Sequence, residues 1–592
     1  MCGISGTFAP DGRLDRSLCV AMHNRLTHRG PDEAYSLNTA SLSVKLARLG
    51  MIGLQDGWQP VEEASGRFVA LTNGEIYNAD RLFEELGIPR PSGNGVDVAI
   101  LPELVARHGI KGLEKIDGQF ATVIYDRKEN ALYLARDRFG ICPLFFSEVE
   151  NCIHFCSELK PLVQAIRHPW RLDYTAVDQY FSLGNVVAPK TLVEHVSGVE
   201  PGCAVRFDEN GRKTLRYWRY GMFSSEKGPV DVEALREAMK ESISMRLHSD
   251  VEIGAYLSGG FDSTAILMDA ASMSKKTMKS FSVTFNDPML DEGRFQRSVA
   301  ATAGSVHHEI RCFPEDIAAR FEKMVRHCCF PQRETYNVSA MMLSEHVHGA
   351  GIKGVVSGEG ADELFFGYDS YAFDSVKRGP RMECVQNEQA WGRADFSWEV
   401  DHDRVEKRRQ NFLSESARQE ITGREFWRHR LIPYSDDELK GLSPMQLRSI
   451  ADVYVQLGGH LLGDHGDSMV MANSIEGRYP FLGNGVVSLA LRVPDQEKVV
   501  NFEGKACLKT AYRDTVPETV TNRAKHGFTA YDLKSIVDDT LWRTWHDMVA
   551  SVGALNVECM AEASTAHLKE KWDFRLGAIS LSMIVDELGL RC

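Results

Sequence analysis

The sequence predicts a two-part chain, with stacked sheets flanked by helices over residues 1–220 and a doubly wound parallel sheet with helical additions over residues 221–592. Three observations predict it. The first part is written in short β-rich segments, the second alternates apolar strands with helical runs, and two glycine-containing loops each follow an apolar strand directly.

In the first part SLSVKLARL, GRFVALTNGEI, QFATVIYD, NALYLARD and CIHFCSEL read as strands. NALYLARD sets Leu132 and Leu134 against Tyr133 and Ala135, the period of two that marks a half-buried strand. DRKEN and SEVENC read as hairpin connections, with helices over Asp15–Arg25 and Val96–Arg107. In the second part IGAYL, SFSVTF, HHEIR and IKGVV read as strands, and STAILMDAAS and DEGRFQRSVAATAG as helices. Such alternation implies right-handed crossovers, which place helices on both faces of a parallel sheet. The linker falls near Trp218–Pro229, where GMFSSEKGP is polar and turn-rich. Residues 370–470 read as mostly helical. Their arginines at Arg404, Arg408, Arg409, Arg424, Arg428 and Arg430 read as a solvated face, with an anion-binding acceptor site as the alternative.

Bulk properties narrow the function. A chain of 592 residues holds two or more domains. A formal net charge of −14 argues against non-specific binding to nucleic acid or anionic membrane. No apolar run approaches the ~20 residues needed to span a bilayer, and MCGISGTFAPDGRLDR lacks the basic and apolar regions of a signal peptide. Thirteen cysteines without a CxxC pair fit reduced thiols, so the expected location is cytoplasmic. No nucleic-acid or membrane partner is expected, and a homodimer is left open.

Cys2 follows Met1, and removal of that methionine would leave Cys2 a free α-amine. An α-amine has a reference pKa of about 7.7–8, close to working pH, so it can act as general base for its own thiol. A thiolate so formed attacks an amide carbon. The segments MCGISG, HRGPDE, the ARL before Met51, NGEIYN, GQFA, LARDRFG and SELKPL follow one another in the order found in class II glutamine amidotransferases, and the resemblance covers residues 1–165. It implies a four-layer αββα N-terminal-nucleophile hydrolase sandwich. Cys2 would be the nucleophile, Arg48 would hold the glutamine α-carboxylate, and Asn73 and Gly74 would form the oxyanion hole. Glu75 lies beside them in the glutamine site, and Asp97 would pair with the α-ammonium. Ala99 stands where that family usually has a glutamate.

In the second half SGGFDS, Ser258–Ser263, lies between an apolar strand and a helix. Gly259 and Gly260 permit a sharp turn and close approach, and the helix start offers unpaired N–H groups to phosphate. Asp262 is suited to Mg²⁺, and no GxxxxGK[ST] is present. The loop resembles that of the ATP pyrophosphatases. SGEGADELFFGY again follows an apolar strand, and strand ends in a doubly wound sheet face one crevice. With DSMVMANSIEGRYPFL and GKACLKTAYRD, these segments resemble B-type, glutamine-hydrolysing asparagine synthetases over residues 230–370 and 460–530. The resemblance implies adenine and ribose contacts at Leu257, Val283, Ser357 and Gly358, pyrophosphate contacts along Ser258–Ser263, and Mg²⁺ held by Asp262 and Asp362. Glu359 would support acyl-adenylate formation and amination, and Lys505 would stabilise charge on the α-phosphate. GRYPFL would line the domain junction.

The implied reaction consumes glutamine, ATP and a carboxylic acid. The acid attacks the α-phosphate of ATP to give an acyl-AMP and pyrophosphate, and ammonia released at Cys2 then displaces AMP. The acceptor is the open point. Relatives carry a Thr-Thr-Ile-Arg-Ala-Ser-like segment where this chain has Gln332-Arg333-Glu334-Thr335-Tyr336-Asn337, so the arginine that helps hold aspartate falls on Thr335. Aspartate-to-asparagine conversion is one expectation, and a larger acid from a specialised pathway, with Arg333 as substitute, is the other. A stand-alone glutaminase would leave SGGFDS, SGEGADE and Lys505 without a task. An RNA-modifying enzyme sharing SGGxDS is disfavoured by the acidic charge.

Overall fold

The computed structural model describes residues 1–90, 96–221, 223, 228–375, 384–398, 402–523, 527–560 and 572–592. Among these, the first half builds two antiparallel sheets from twelve strands. They are β1 (Gly3–Phe8), β2 (Glu33–Asn38), β3 (Leu42–Arg48), β4 (Val61–Glu62), β5 (Phe68–Ile76), β6 (Gly118–Asp126), β7 (Ala131–Arg136), β8 (Phe145–Val149), β9 (Cys152–Cys156), β10 (Val196–Gly198), β11 (Cys203–Asp208) and β12 (Gly211–Arg216). One sheet runs β10-β8-β9-β1-β3-β2, the other β12-β11-β7-β6-β5-β4. Val69, Leu71, Val123, Leu132 and Leu134 of the second sheet share a core with Ile4, Val44 and Leu46 of the first. The second sheet's other face packs Ala70, Phe120, Ile124 and Ala135 against the helix Ile100–His108. Helices Arg16–His23 and Leu159–Ala165 cover the first sheet. The result is the αββα stack.

The fourfold layering corrects one expectation. NALYLARD is not half-buried: Leu132 and Leu134 face the sheet-to-sheet core, while Ala135 is fully buried and Tyr133 half-buried under the helical layer. A strand covered on both faces loses its polar alternation.

The second half forms a five-stranded parallel sheet, β15-β14-β13-β16-β17, from β13 (Ile253–Tyr256), β14 (Lys279–Phe285), β15 (Val306–Cys312), β16 (Gly354–Val356) and β17 (Glu476–Arg478). The chain lays β14 and β15 to one side of β13, and β16 and β17 to the other. The order reverses between β13 and β16, so the loops leaving these neighbours flank one crevice. β17, only three residues long, carries no sequence pattern of its own and is held by pairing to β16.

The described residues of 370–470 are mostly helical, in short helices broken by loops, and the winding changes along them. Helix Pro444–Ala451 opens into π-helical turns over Asp452–Leu461 and Gly463–Asp467. The arginine cluster is not one solvated face. Arg408 is buried, donating to Ser182 O and lying 4.3 Å over Phe574, while Arg409 grips the fully buried Asp178 at 2.6 and 2.8 Å. A buried carboxylate requires such a partner. Arg424, Arg428 and Arg430 pair locally with Glu420, Glu425 and Asp436. The expected linker lies partly outside the described residues. All thirteen cysteines are free thiols, and no helix among the described residues is long and apolar enough to cross a membrane.

Candidate active site

Cys2 stands at the entry to β1, and strand register selects its neighbours. Gly3 pairs with Ala47 and Ile4 with Leu46, which sets Cys2 beside the end of β3. Its sulfur lies 3.9 Å from Leu49 O and its backbone N–H donates to Asn73 Oδ1 at 2.5 Å. Burial pushes the thiol above its ordinary pKa, with the terminal ammonium, Leu49 and Arg48 pulling against it. Met1 is buried in front of Cys2, its ammonium ion-paired with Glu476 of β17.

Asn73 and Gly74 lie on β5, opposite Ala121 and Phe120. Asn73 Nδ2 is buried and finds no hydrogen-bond partner among the described residues. An unmet buried donor costs about 1–3 kcal/mol, and this one sits on the side chain that already touches Cys2. Gly74 has φ +135°, and a Cβ there would sit 1.9 Å from Gln119 O, so no other residue fits. Arg48 is buried and donates to Glu33 Oε2 at 2.6 Å and to Ile52 O and Gly53 O at 2.8 Å. Asp97 accepts from the Ile76 N–H, and burial pushes its carboxyl up to about 6. Burial and the Asp97 charge push Glu75 up as well.

In the second half the loop after β13 folds onto its own hydroxyls. Ser258 and Ser263 Oγ lie 3.0 Å apart, and the Gly260 N–H donates to Ser258 Oγ at 3.2 Å. This loop caps the helix Phe261–Met273 and opens, with the loop after β16, into a cavity of about 1810 Å³. Leu257, Ser258, Gly260, Asp262, Ser263, Val283, Ser357, Gly358, Glu359, Asp362 and Lys505 all line it, whereas Gly259 turns the loop behind the wall. Burial pushes the Glu359 carboxyl up against a Ser357 hydrogen bond, and its Oε2 has no partner among the described residues. The Lys505 ammonium sits between Asp262 Oδ2 at 2.5 Å and Asp362 Oδ1 at 2.8 Å. Burial would lower its pKa, but the two carboxylates outweigh that and hold it raised. Gly367 makes this clasp possible, because a Cβ there would lie 2.0 Å from Asp362 Oδ1 and 2.2 Å from Lys505 Cε.

Buried ion pairs and hydrogen bonds tie the Cys2 region to the second half. Arg29 donates to Cys2 O at 2.9 Å and grips Asp467 at 2.7 and 2.8 Å. Arg478 bonds Glu476 at 2.7 Å and approaches Glu75 at 3.9 Å. Arg29 stands in HRGPDE and Asp467 opens DSMVMANSIEGRYPFL, yet only the fold shows that these segments meet.

A family model described as asparagine synthase matches residues 234–583, more than half of the chain. The chain belongs to the asparagine synthase family. A glutamine amidotransferase domain model matches residues 1–218. This family member is thus a glutamine-hydrolysing ligase that forms amides. It is 29% identical over 555 residues to asparagine synthetase [glutamine-hydrolyzing] 1 of Bacillus subtilis, covering 89% of this chain and 87% of that protein. It is 28% identical to a putative asparagine synthetase [glutamine-hydrolyzing] of Mycobacterium bovis over the same shares. It is also 25% identical to Amidase chyE of Penicillium rubens, over 89% of this chain and 88% of that one.

The arginine questioned in the sequence is absent here too. Thr335 is buried, its hydroxyl given to Tyr531 O at 2.5 Å. Arg333 lines the cavity, but its terminal nitrogens bond Gly184 O at 3.0 Å and Gln456 Oε1 at 2.9 Å, and its guanidinium lies 3.9 Å over Trp572. Sequence reasoning passed over Tyr336 as an active group, and over His465 and Phe528, which line the same chamber. No motif marks them.

Proposed function

We propose that residues 1–220 hydrolyse glutamine at Cys2 and that residues 221–592 use the ammonia to amidate a carboxylic acid activated as its acyl-adenylate. The observation carrying this reading is the Asp262–Lys505–Asp362 clasp at the mouth of the Ser258–Ser263 loop, beside the buried Glu359. With Met1 removed, the Cys2 amine serves as base for the thiol, and Asn73 Nδ2 and the Gly74 backbone receive the oxyanion. Arg48 holds the glutamine carboxylate in competition with Glu33, and Asp97 and Glu75 take the ammonium end. In the chamber, Leu257, Val283, Ser357 and Gly358 hold the nucleoside and the Ser258–Ser263 loop the phosphates.

The two aspartates fit Mg²⁺, since their oxygens already converge on one cationic centre, the Lys505 ammonium. Asp262 and Asp362 would hold the ion, with phosphate completing its shell, and it would neutralise triphosphate charge. Lys505 steadies the α-phosphate as the acid's oxygen attacks, and Glu359, held toward its neutral form by burial, exchanges protons at the amination step. Two of the relatives are named asparagine synthetases and a third an amidase, so their names favour amide synthesis and leave aspartate as one acceptor among others. Purified protein given ATP, glutamine and an accepted acid should release AMP and pyrophosphate in step with amide. ADP and phosphate as the products would defeat the proposal.

A further inference from the structure

Helix Tyr336–Gly349 begins at the cavity wall facing the π-helical turns, and the two elements share a buried hydrogen-bond network whose directions can be followed. Asp464 can only accept. Its Oδ1 meets His460 Nδ1 at 2.8 Å, and its Oδ2 receives Asn337 Nδ2 at 3.0 Å and Gln332 Nε2 at 3.3 Å. The His460 ring proton therefore lies on Nδ1, and its Nε2 receives the Tyr336 hydroxyl hydrogen. Asn337 Nδ2 also donates to Gln332 Oε1 at 2.8 Å, so Asn337 Oδ1 faces His465 Nδ1 at 2.7 Å as an acceptor. That contact puts the His465 proton on Nδ1 and leaves Nε2 a bare lone pair, with no hydrogen bond among the described residues. Burial pushes His465 down to about 4, so the ring stays neutral near pH 7.

The wall thus offers two acceptors, Tyr336 Oη and His465 Nε2, and its remaining surface is aromatic. The Tyr336 and His465 rings lie 5.0 Å apart edge to face, and Phe528 is 5.8 Å from the first and 6.1 Å from the second. Cations are already taken. Arg333, Arg404, Arg448, Lys505, Lys509 and Arg523 line the cavity and each already has a partner in the protein. A second carboxylate on the acceptor would have to displace one of these partners, which is costly. Space is ample, since about 1810 Å³ exceeds the ~300–1,000 Å³ of a usual single-ligand pocket.

We infer that the acceptor is an aromatic carboxylic acid carrying an N–H or O–H donor, not aspartate, and that Tyr336 and His465 determine this specificity. The inference rests on the adenylation reading above.

Pyrophosphate–ATP exchange by the full-length protein tests it, with aspartate, phenylacetate, 4-hydroxyphenylacetate and 4-aminophenylacetate as probes. The donor-bearing aromatic acids should exceed both aspartate and phenylacetate in kcat/KM by about tenfold or more, the scale of a hydrogen bond a site is built to make. Tyr336→Phe and His465→Phe should each shrink the margin over phenylacetate about tenfold, with glutaminase activity at the separate Cys2 centre held within about twofold. Aspartate matching or outrunning the aromatic acids would overturn the inference, as would a margin that survives both substitutions. Exchange with none of the four acids, glutaminase intact, would instead remove the adenylation reading and the acceptor assignment with it.

Discussion

Asn73 is held in an arrangement that water would not sustain. Its amide oxygen is used by the Cys2 N–H, while its Nδ2 is buried without a partner among the described residues. A donor kept unsatisfied in the resting enzyme is one whose best acceptor forms later, as the tetrahedral oxyanion does. Asn73→Ala is therefore expected to lower glutaminase kcat about 10²–10³-fold, the usual cost of losing one such donor. Glutamine KM should change far less, and ammonium-supported amide formation should persist. A rise in KM at constant kcat would show instead that Asn73 binds the ground state.

At the scale of elements, the loops leaving β13 and β16 depend on a third segment that lies far away in sequence. Lys505 reaches Asp262 and Asp362 only because the 366–368 turn passes close beneath it at Gly367. Gly367→Ala would place a methyl within 2.2 Å of Lys505 Cε, so either the lysine or Asp362 must move. A displacement near 1 Å at reacting groups can cost about 10²-fold. The expected outcome is a loss of that order in pyrophosphate release, measured with ammonium as nitrogen donor, and unchanged glutaminase activity. The π-helical turns work at the same scale. They carry His460, Asp464 and His465 to the acceptor wall and Asp467 to Arg29, and wide winding of this kind recurs where helices serve sites.

The whole molecule is two halves joined by buried charge, with Arg29–Asp467, Asp117–Arg246 and Glu75–Arg478 crossing between them. Cys2→Ala should abolish amide formation from glutamine and spare it with ammonium, in assays of amide product under both donors. Equal loss with both would mean that the thiol is needed by the second centre too. Much of this plan is legible in residue order. Strand period, the Gly-Gly turn after an apolar strand and the MCGISG, SGGFDS and SGEGADE motifs are local, and local chemistry determined the two sheet types and most candidate site residues. Burial on both faces of β7, the split of the arginine cluster and the pairing of the three-residue β17 depend on layers contributed from elsewhere in the chain. So do the Lys505 clasp and the Tyr336–His465 wall, whose members stand more than a hundred residues apart. Proximity across such distances is set by packing and topology, which carry no signature in sequence spacing, and for that reason the tertiary structure alone decided what surrounds the acceptor.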